Sequence, residues 1–255
     1  MAKAWHLKSR PQGTPTLENF ELKETGLPPL QDGNMRVRNE WLSVDPYMRG
    51  RMNDVKSYVP PFQLGQPLEG GAVGRVVESK ADGFAPGDLV VHMGGWRDEA
   101  VVPARTAMKL PDVGASPRQF LSALGITGAT AYFGLLDAAS AKEGDIVFVS
   151  AAAGAVGSIV VQIAKAKGMT VIGSAGGAEK CDYTRSLGAD RVVDYCAGGG
   201  GKSRWLGSLH AHGGAAVGDS RRVREAPASI GRVVMDGRAP AVGAGRFDVV
   251  LVEAA

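Results

Sequence analysis

This sequence of 255 residues has few cysteines and only a small excess of one sign of charge over the other. Two cysteines, Cys181 and Cys196, cannot build a disulfide framework or a four-cysteine zinc site. Lys and Arg number 29 against 26 Asp and Glu, which leaves a net charge of +3. So small and evenly spread an excess gives no reason to expect a nucleic-acid partner.

Long apolar runs are also missing. The longest apolar stretch, residues 159–166, contains Gln162 and Lys165 and is far too short to span a bilayer. Residues 1–10 are polar and show no secretory signal. We therefore expect a soluble, cytoplasmic, globular chain with no membrane partner.

The first half of the chain has the pattern of a β-rich domain. Short extended segments alternate with Gly and Pro pairs, and the clearest are residues 35–41, 74–78, 88–92 and 99–103. Many short strands separated by such turns predict a small, partly open β-barrel. We place this domain at residues 1–120.

The pattern changes from residue 116 onwards, where helices and strands alternate. The predicted helices are residues 118–124, 130–139, 156–167 and 178–187, and the predicted strands are residues 146–150, 169–173 and 191–194. Strands that alternate with helices of this size indicate βαβ units on a parallel sheet. The predicted fold class is α/β, with this second domain at residues 121–195.

A small-residue turn between the first strand and helix of that sheet carries the strongest functional signal. Ala152, Gly154 and Gly157 match the G/A-x-G-x-x-G pattern in its strand–turn–helix context. Gly154 would let the backbone approach a pyrophosphate, and Gly157 would let the helix pack closely on the strand. The alternative is a turn of small residues that serves packing alone.

The end of the second strand distinguishes between nicotinamide cofactors. An NAD site requires an acidic residue there, yet the segment from Val171 to Gly177 contains none. Ser174 can donate to a phosphate, and Lys180 adds a positive charge. We interpret this as an NADP(H) site, with a solvated surface lysine as the alternative for Lys180.

Metal ligation and nucleophilic catalysis have little support in the sequence. The four histidines lack a Cys or Glu at ligand spacing, so no metal site is predicted. No Gly-x-Ser-x-Gly motif occurs, and neither cysteine has a histidine nearby in sequence.

Several longer runs are more specific than the glycine pattern. They are residues 42–49 (LSVDPYMR), 125–135 (GITGATAYFGL) and 150–158 (SAAAGAVGS), together with Gly94-Gly95-Trp96 and Glu179-Lys180. These runs resemble the zinc-independent alkenal and prostaglandin reductase branch of the medium-chain dehydrogenase/reductase superfamily, which includes plant double-bond reductases and curcumin-reductase-like enzymes. The zinc-dependent relatives carry a ligating cysteine near Val44-Asp45 and a Gly-His-Glu where this chain has Pro67-Leu68-Glu69. The resemblance covers residues 1–195 and implies a GroES-like domain followed by a Rossmann-type doubly wound sheet.

The resemblance also implies an activity: NADPH-dependent reduction of the C=C bond of α,β-unsaturated aldehydes and ketones, without a metal. Tyr47 matches the family tyrosine beside the nicotinamide and is the candidate donor to the substrate carbonyl, and Trp96 would form a wall of the substrate cleft. A buried packing role is the alternative for each. The residues that match cofactor positions are Met48, Thr127, Thr130, Gly154, Val156, Gly157, Ser174, Lys180 and Tyr195.

Residues 196–255 differ in composition from the rest of the chain. They contain 12 Gly, 11 Ala and 7 Arg but 1 Lys. Only residues 232–235 and 247–252 have the pattern of strands, and the family's further strands are not recognisable there. We interpret this segment as an out-of-frame translation that leaves the sheet incomplete after three strands, with a divergent tail as the alternative. Weak or absent activity is the expected consequence.

Three functions therefore remain open. The first is an enone or alkenal reductase, the second an NADPH:quinone reductase, and the third a non-catalytic NADP-binding relic. Each takes small molecules as partners. The resemblance also implies a homodimer, although the strands of its interface are not recognisable in this sequence.

Overall fold

The computed structural model describes residues 1–57, 59–197 and the backbone of a strand at 249–252. The chain divides into two compact units, Met1–Ser122 and Ala123–Ala255. Among the described residues, no helix is both long and apolar enough to cross a membrane.

The first unit consists mainly of antiparallel strands. Its strands are β1 (Ala2–Leu7), β2 (Phe20–Thr25), β3 (Asn34–Leu42), β4 (Ala72–Ser79), β5 (Leu89–His92), β6 (Glu99–Pro103) and β7 (Met108–Lys109). Strands β1 and β2 form a two-stranded sheet, and the others form a five-stranded sheet in the order β6-β3-β4-β5-β7. This open, β-rich arrangement confirms the predicted fold class for the first half of the chain.

Alternation of apolar and charged residues explains how the larger sheet forms. Met35 and Val37 of β3 are fully buried in a core with residues of β4, β5 and β6. Arg36, between them in sequence, pairs with Glu78 on the neighbouring strand at 3.2 Å. Because successive side chains of a strand point to opposite faces, one face forms the core and the other carries cross-strand ion pairs.

The second unit is a parallel sheet with helices between its strands. Its elements are α2 (Ile126–Tyr132), β8 (Ile146–Val149), α3 (Ala155–Ala166), β9 (Thr170–Ala175), α4 (Ala178–Ser186), β10 (Arg191–Asp194) and β11 (Val249–Val252). A short helix of the first unit, α1 (Tyr47–Arg51), precedes them in the chain. The sheet order is β10-β9-β8-β11, with all pairs parallel. The α/β prediction for this half is confirmed.

Two predicted helices differ from the observed ones. Residues 117–121 form a 3-10 helix, and the helix expected from residue 130 already begins at Ile126 and continues as a π-helix over Phe133–Ala138. Gly128 lets the first turn of this helix lie against the Ala123 backbone, since a Cβ there would collide with the carbonyl of Ala123. The residue pattern does not show this close backbone approach.

The expectation that the sheet stops after three strands is wrong. Val249–Val252 pairs in parallel register with Ile146–Val149 and forms the fourth strand. One edge of β8 pairs with β9. The backbone groups of its other edge pair with β11, a run of mostly β-branched apolar residues. The rest of the unusual segment, residues 198–248, lies outside the described residues, and so does a strand that we expected at 232–235.

Small and β-branched side chains form the core of the second unit. Val147 and Val149 of β8 pack with Val160 and Val161 of α3, and all four are fully buried. Burial of each such side chain contributes about 1.5–3 kcal/mol to folding. This packing holds α3 against β8.

Candidate functional site

Three loops leave the same edge of the parallel sheet. Val149 is level with Gly173 in the register of β8 and β9, and Ala175 is level with Asp194 in that of β9 and β10. The loops after these strands therefore begin near one another. In open α/β sheets, ligands bind outside the carboxyl ends of the strands.

The first loop, between β8 and α3, is a tight turn of small residues. Ala151 has a positive φ of 46°, a conformation in which any side chain larger than hydrogen is strained. The Ala152 N–H donates to the Ser174 carbonyl at 2.9 Å, and the Gly154 N–H donates to the Ala151 carbonyl at 2.7 Å. These bonds join the turn to β9 and place Gly154 at the N-cap of α3.

Gly157 lies against the backbone of this turn. A Cβ at residue 157 would stand 2.5 Å from the Ala151 carbonyl oxygen and 3.0 Å from the Ala152 Cα. A Cβ at Gly154 would stand 3.0 Å from the same carbonyl oxygen. Because backbone atoms cannot move aside as a flexible side chain can, the helix begins this close to the strand end only with glycine at 157.

The N-terminus of α3 is open to an anionic ligand. The first bond within the helix runs from the Ser158 N–H to the Gly154 carbonyl, so the N–H groups of Ala155, Val156 and Gly157 precede it and have no partner in the helix. No side chain caps this end, and its first turn carries no acidic residue. Unpaired N–H groups and the helix dipole together attract phosphate.

The second loop, after β9, contains Gly176 and Gly177. The Tyr195 ring covers Gly176 so closely that a Cβ there would stand 2.7 Å from its Cε2 atom and 2.9 Å from its hydroxyl oxygen. Lys180 lies in the first turn of α4 and is exposed, with no ion pair to any described side chain. A lysine and a tyrosine hydroxyl are thus found at the ends of adjacent strands.

Asp194, the last residue of β10, is not among the site residues predicted from the sequence. Its Oδ1 accepts hydrogen bonds from the N–H of Gly177 at 2.9 Å and of Cys196 at 2.8 Å. These backbone N–H groups hold the pKa of the Asp194 carboxyl below its usual value. No local signal could have identified it, because its partner Gly177 belongs to the neighbouring strand's loop.

The side chains of three other predicted cofactor residues are buried, half-buried or hydrogen-bonded within their own helix. Ser174 is only 3% exposed, so its side chain is enclosed by the sheet rather than presented at the surface. Thr127 is half-buried, and the hydroxyl of the exposed Thr130 donates to the Ile126 carbonyl within α2 at 2.7 Å. Their assignment as cofactor residues stays a prediction.

In the first unit, the structure brings Tyr47, Met48 and Trp96 together. Met48 belongs to a buried cluster against which Tyr47 and Trp96 pack, and its other buried members are Leu7, Met52, Phe62 and Leu68. Gly70 contacts both Met48 and Trp96, since a Cβ there would stand 3.2 Å from the indole Nε1. Trp96 has a positive φ of 60°, which is strained for so large a residue.

Two arginines of α1 connect this helix to distant loops. Arg49 donates to the Gly13 carbonyl at 2.7 Å. Arg51 donates to the Pro60 carbonyl at 2.9 Å, pairs with Glu69 at 3.1 Å and stacks 4.0 Å from the centroid of the Phe62 ring. These contacts stabilise the position of the helix that carries Tyr47 and Met48.

His92 is a buried titratable group beside the loop that carries Trp96. Its Nδ1 accepts from the Gly94 N–H at 3.0 Å, so the neutral ring carries its proton on Nε2. Burial, with a smaller contribution from the positive charge of Arg97, lowers the pKa of His92 to about 4. The imidazole is therefore neutral at physiological pH.

Two family models match this sequence. One, described as the N-terminal domain of oxidoreductase, covers residues 3–110, and the other, described as zinc-binding dehydrogenase, covers residues 155–218. The NADPH-dependent curcumin reductase of Escherichia coli (strain K12) is 45% identical over 196 residues, which are 76% of this chain and 57% of that protein. The chain belongs to the medium-chain dehydrogenase/reductase superfamily.

Other members of this superfamily agree with that assignment. Prostaglandin reductase 1 of Rattus norvegicus is 44% identical over 197 residues, which are 76% of this chain and 58% of that protein. The 2-alkenal reductase (NADP(+)-dependent) of Nicotiana tabacum is 40% identical over 195 residues, which are 74% and 57% of the two chains. This chain therefore spans less than two thirds of the length of these curated relatives.

Solved structures of the superfamily share the fold. The crystal structure of CurA from Vibrio vulnificus in complex with NADPH has a TM-score of 0.75 and 41% identity, and the match covers 82% of this chain and 62% of that one. The quinone oxidoreductase of Escherichia coli, also complexed with NADPH, has a TM-score of 0.70 at 20% identity and covers 100% and 81% of the two chains. The second comparison establishes the fold alone.

Although one matching family model is described as zinc-binding, the described part of this chain has no obvious ligand set. Within residues 1–57 and 59–197, no group of three or more His, Cys, Asp or Glu side chains is arranged to hold a metal ion. Of the family positions, those near Val44-Asp45 and Pro67-Leu68-Glu69 contain neither cysteine nor histidine.

Proposed function

We propose that the second unit binds NADPH and that the chain's fold serves the reduction of the C=C bond of α,β-unsaturated aldehydes and ketones. The observation that carries this proposal is the uncapped start of α3 against the turn at Ala151–Gly154. Relatives named as curcumin, prostaglandin and 2-alkenal reductases support the reaction class.

The residues at the three strand ends fit a dinucleotide. A Cβ at Gly157 would fill the space between helix and turn, and the unpaired N–H groups of Val156 and Gly157 suit the diphosphate. Lys180 and the Tyr195 hydroxyl suit the 2′-phosphate, because both can donate to it and lysine also offers a positive charge. Thr127 and Thr130 of the same unit complete the proposed cofactor contacts.

NADPH, when bound, supplies the hydride that reduces the β-carbon of the unsaturated carbonyl. The part of this chain is to orient the substrate and to stabilise the negative charge that develops on its carbonyl oxygen. We assign that role to the Tyr47 hydroxyl, which would donate a hydrogen bond to the oxygen, and we assign Trp96 to the wall of the substrate site. Loss of one such donor costs roughly 10²-fold or more in rate.

Two alternatives have different consequences. A quinone is a flat acceptor that would need the same cofactor position, and quinone oxidoreductases share this fold. A non-catalytic relic would bind NADPH without any turnover. Neither alternative changes the proposed nucleotide site.

The experiment measures NADPH consumption with a 2-alkenal, with a quinone and with neither, alongside calorimetric titration with NADPH and NADH. We expect tighter binding of NADPH than of NADH, and faster consumption with the alkenal than with the quinone. Equal affinity for the two cofactors would overturn the assignment of an NADP site. Binding without consumption would support the relic, and consumption with the quinone alone would support the quinone reductase.

A further inference from the structure

Asp194 occupies a position that the proposed reaction does not explain. It ends β10, and a single carboxylate oxygen accepts hydrogen bonds from the backbone N–H groups of Gly177 and Cys196. Hydrogen bonds to a charged acceptor are roughly twice as strong as neutral ones. The two bonds join the loop after β9 to the chain that leaves β10.

Each of these loops carries one of the proposed 2′-phosphate groups. Gly177 has a positive φ of 86° and is the N-cap of α4, which places it three positions before Lys180. Cys196 directly follows Tyr195. The carboxylate of Asp194 therefore connects the backbone that carries the lysine to the backbone that carries the tyrosine.

Tyr195 itself also packs on the loop after β9. Its ring lies on Gly176, and its N–H donates to the Ala175 carbonyl at 3.2 Å. Together with the bonds of Asp194, this contact holds residues 175–177 against residues 194–196. The side chains of Lys180 and Tyr195 are exposed at this junction, where a ligand can reach them.

A carboxylate this close to a phosphate site would ordinarily be unfavourable, because like charges repel. In this structure the charge of Asp194 faces two backbone N–H dipoles, which offset it. The geometry of the two bonds requires an acceptor at this position and does not require a charge. An asparagine could accept both bonds through its amide oxygen.

We propose that Asp194 is a positioning residue that sets the preference of this site for nucleotides with a 2′-phosphate, by holding the Lys180 and Tyr195 loops at a fixed separation. This inference rests on the proposed NADPH site and deepens it. It attributes cofactor selectivity partly to a residue that itself does not contact the cofactor.

The test compares the affinities of the full chain for adenosine 2′,5′-bisphosphate and adenosine 5′-monophosphate by calorimetry. We expect the wild-type chain to bind the bisphosphate at least about tenfold more tightly. In Asp194→Ala the ratio of the two affinities should fall to within about threefold, with affinity for the monophosphate retained. In Asp194→Asn the ratio should be kept or should rise, because the acceptor remains and the repulsion is removed.

Asp182→Ala is the matched control, since it removes a negative charge from an exposed ion pair on the same helix, α4. Its ratio should stay at the wild-type value. A wild-type chain without any preference for the bisphosphate would overturn the proposed NADPH site and the inference with it. A preference that survives in Asp194→Ala would overturn the inference alone.

A folding defect in Asp194→Ala would not leave the test undecided. If Asp194→Ala does not fold, Asp194→Asn decides, because loss of the bisphosphate preference in this folded variant overturns the positioning role. Amide hydrogen exchange gives a second measure. Exchange at Gly177 and Cys196 should accelerate at least about tenfold in Asp194→Ala and should stay slow in Asp194→Asn.

Discussion

At the scale of single residues, Gly157 is the most demanding position in the second unit. Backbone atoms of Ala151 and Ala152 occupy the space into which any Cβ at 157 would project. Close packing of this kind makes even one added carbon costly, because a protein interior is nearly as dense as an organic crystal. Both the ligand binding proposed for the turn and the stability of the second unit therefore depend on the absence of a Cβ at residue 157.

Gly157→Ala should weaken NADPH binding at least tenfold and destabilise the second unit by about 1–3 kcal/mol, because α3 must move away from the turn. Titration calorimetry and chemical denaturation measure the two effects. Gly134→Ala is the control, since nothing lies within 4 Å of a Cβ there. Equal behaviour of the two variants would contradict the close-packing argument.

His92 makes stability depend on pH. Its pKa is lowered to about 4 in the folded chain, against an ordinary value of 6.5. Below pH 6.5 the unfolded chain takes up a proton that the folded chain does not, so stability falls as the pH decreases from about 6.5 to about 4. The loss should reach about 3 kcal/mol.

Chemical denaturation at a series of pH values measures this loss. His92→Gln carries no titratable group, so its stability should change far less between pH 6.5 and 4.5 than that of the wild type. An unchanged pH dependence in this variant would show that other groups are responsible. Above pH 6.5 the contribution of His92 is fully present, and no dependence on this residue is expected there.

At the scale of elements, α1 is too short to be stable by itself. Five residues cannot offset the cost of helix nucleation, so tertiary contacts must hold it in place. Arg51 provides several of them, since its side chain is only 11% exposed and contacts Pro60, Phe62 and Glu69. The positions of Tyr47 and Met48 therefore depend on residues well outside their own segment.

Arg51→Ala should destabilise the first unit by about 1–2 kcal/mol, because the Pro60 carbonyl and the face of the buried Phe62 ring lose their partner. Arg38→Ala is the comparison, since the 65% exposed Arg38 side chain forms a surface pair with Glu99 and should cost less than about 1 kcal/mol. Thermal unfolding measures both. Similar losses in the two variants would show that Arg51 has no special role in holding α1.

At the scale of the whole molecule, the proposed NADPH site predicts selective stabilisation. A ligand that binds only the folded state at 100 times its Kd adds about 2.7 kcal/mol to stability. With NADPH, amide exchange should slow most in residues 150–158 and 174–180, which contain the two loops of the site. Uniform slowing across both units, or none, would argue against binding at these strand ends.

The strands and helices that have a regular residue pattern were predicted well from the sequence in both units. The alternation in β3 and the β8–turn–α3 segment were found because each depends on residues only two to four positions apart. It did less well at Ile126, where the close approach of Gly128 to the Ala123 backbone leaves no signal in the residue pattern. It indicated a strand-like run at 247–252 but not the pairing of that run with β8, because the partner is distant in sequence.

The sequence by itself determined the α/β class, the small-residue turn and the lack of an acid after β9, since local periodicity and residue size decide these features. Only the tertiary structure decided that Tyr195 covers Gly176, that Asp194 joins two loops, and that Tyr47 and Trp96 pack on one cluster. Each of these contacts depends on the register of strands or on loops that are separated by many residues. No local pattern encodes such a register, because it results from how the whole sheet and its core pack.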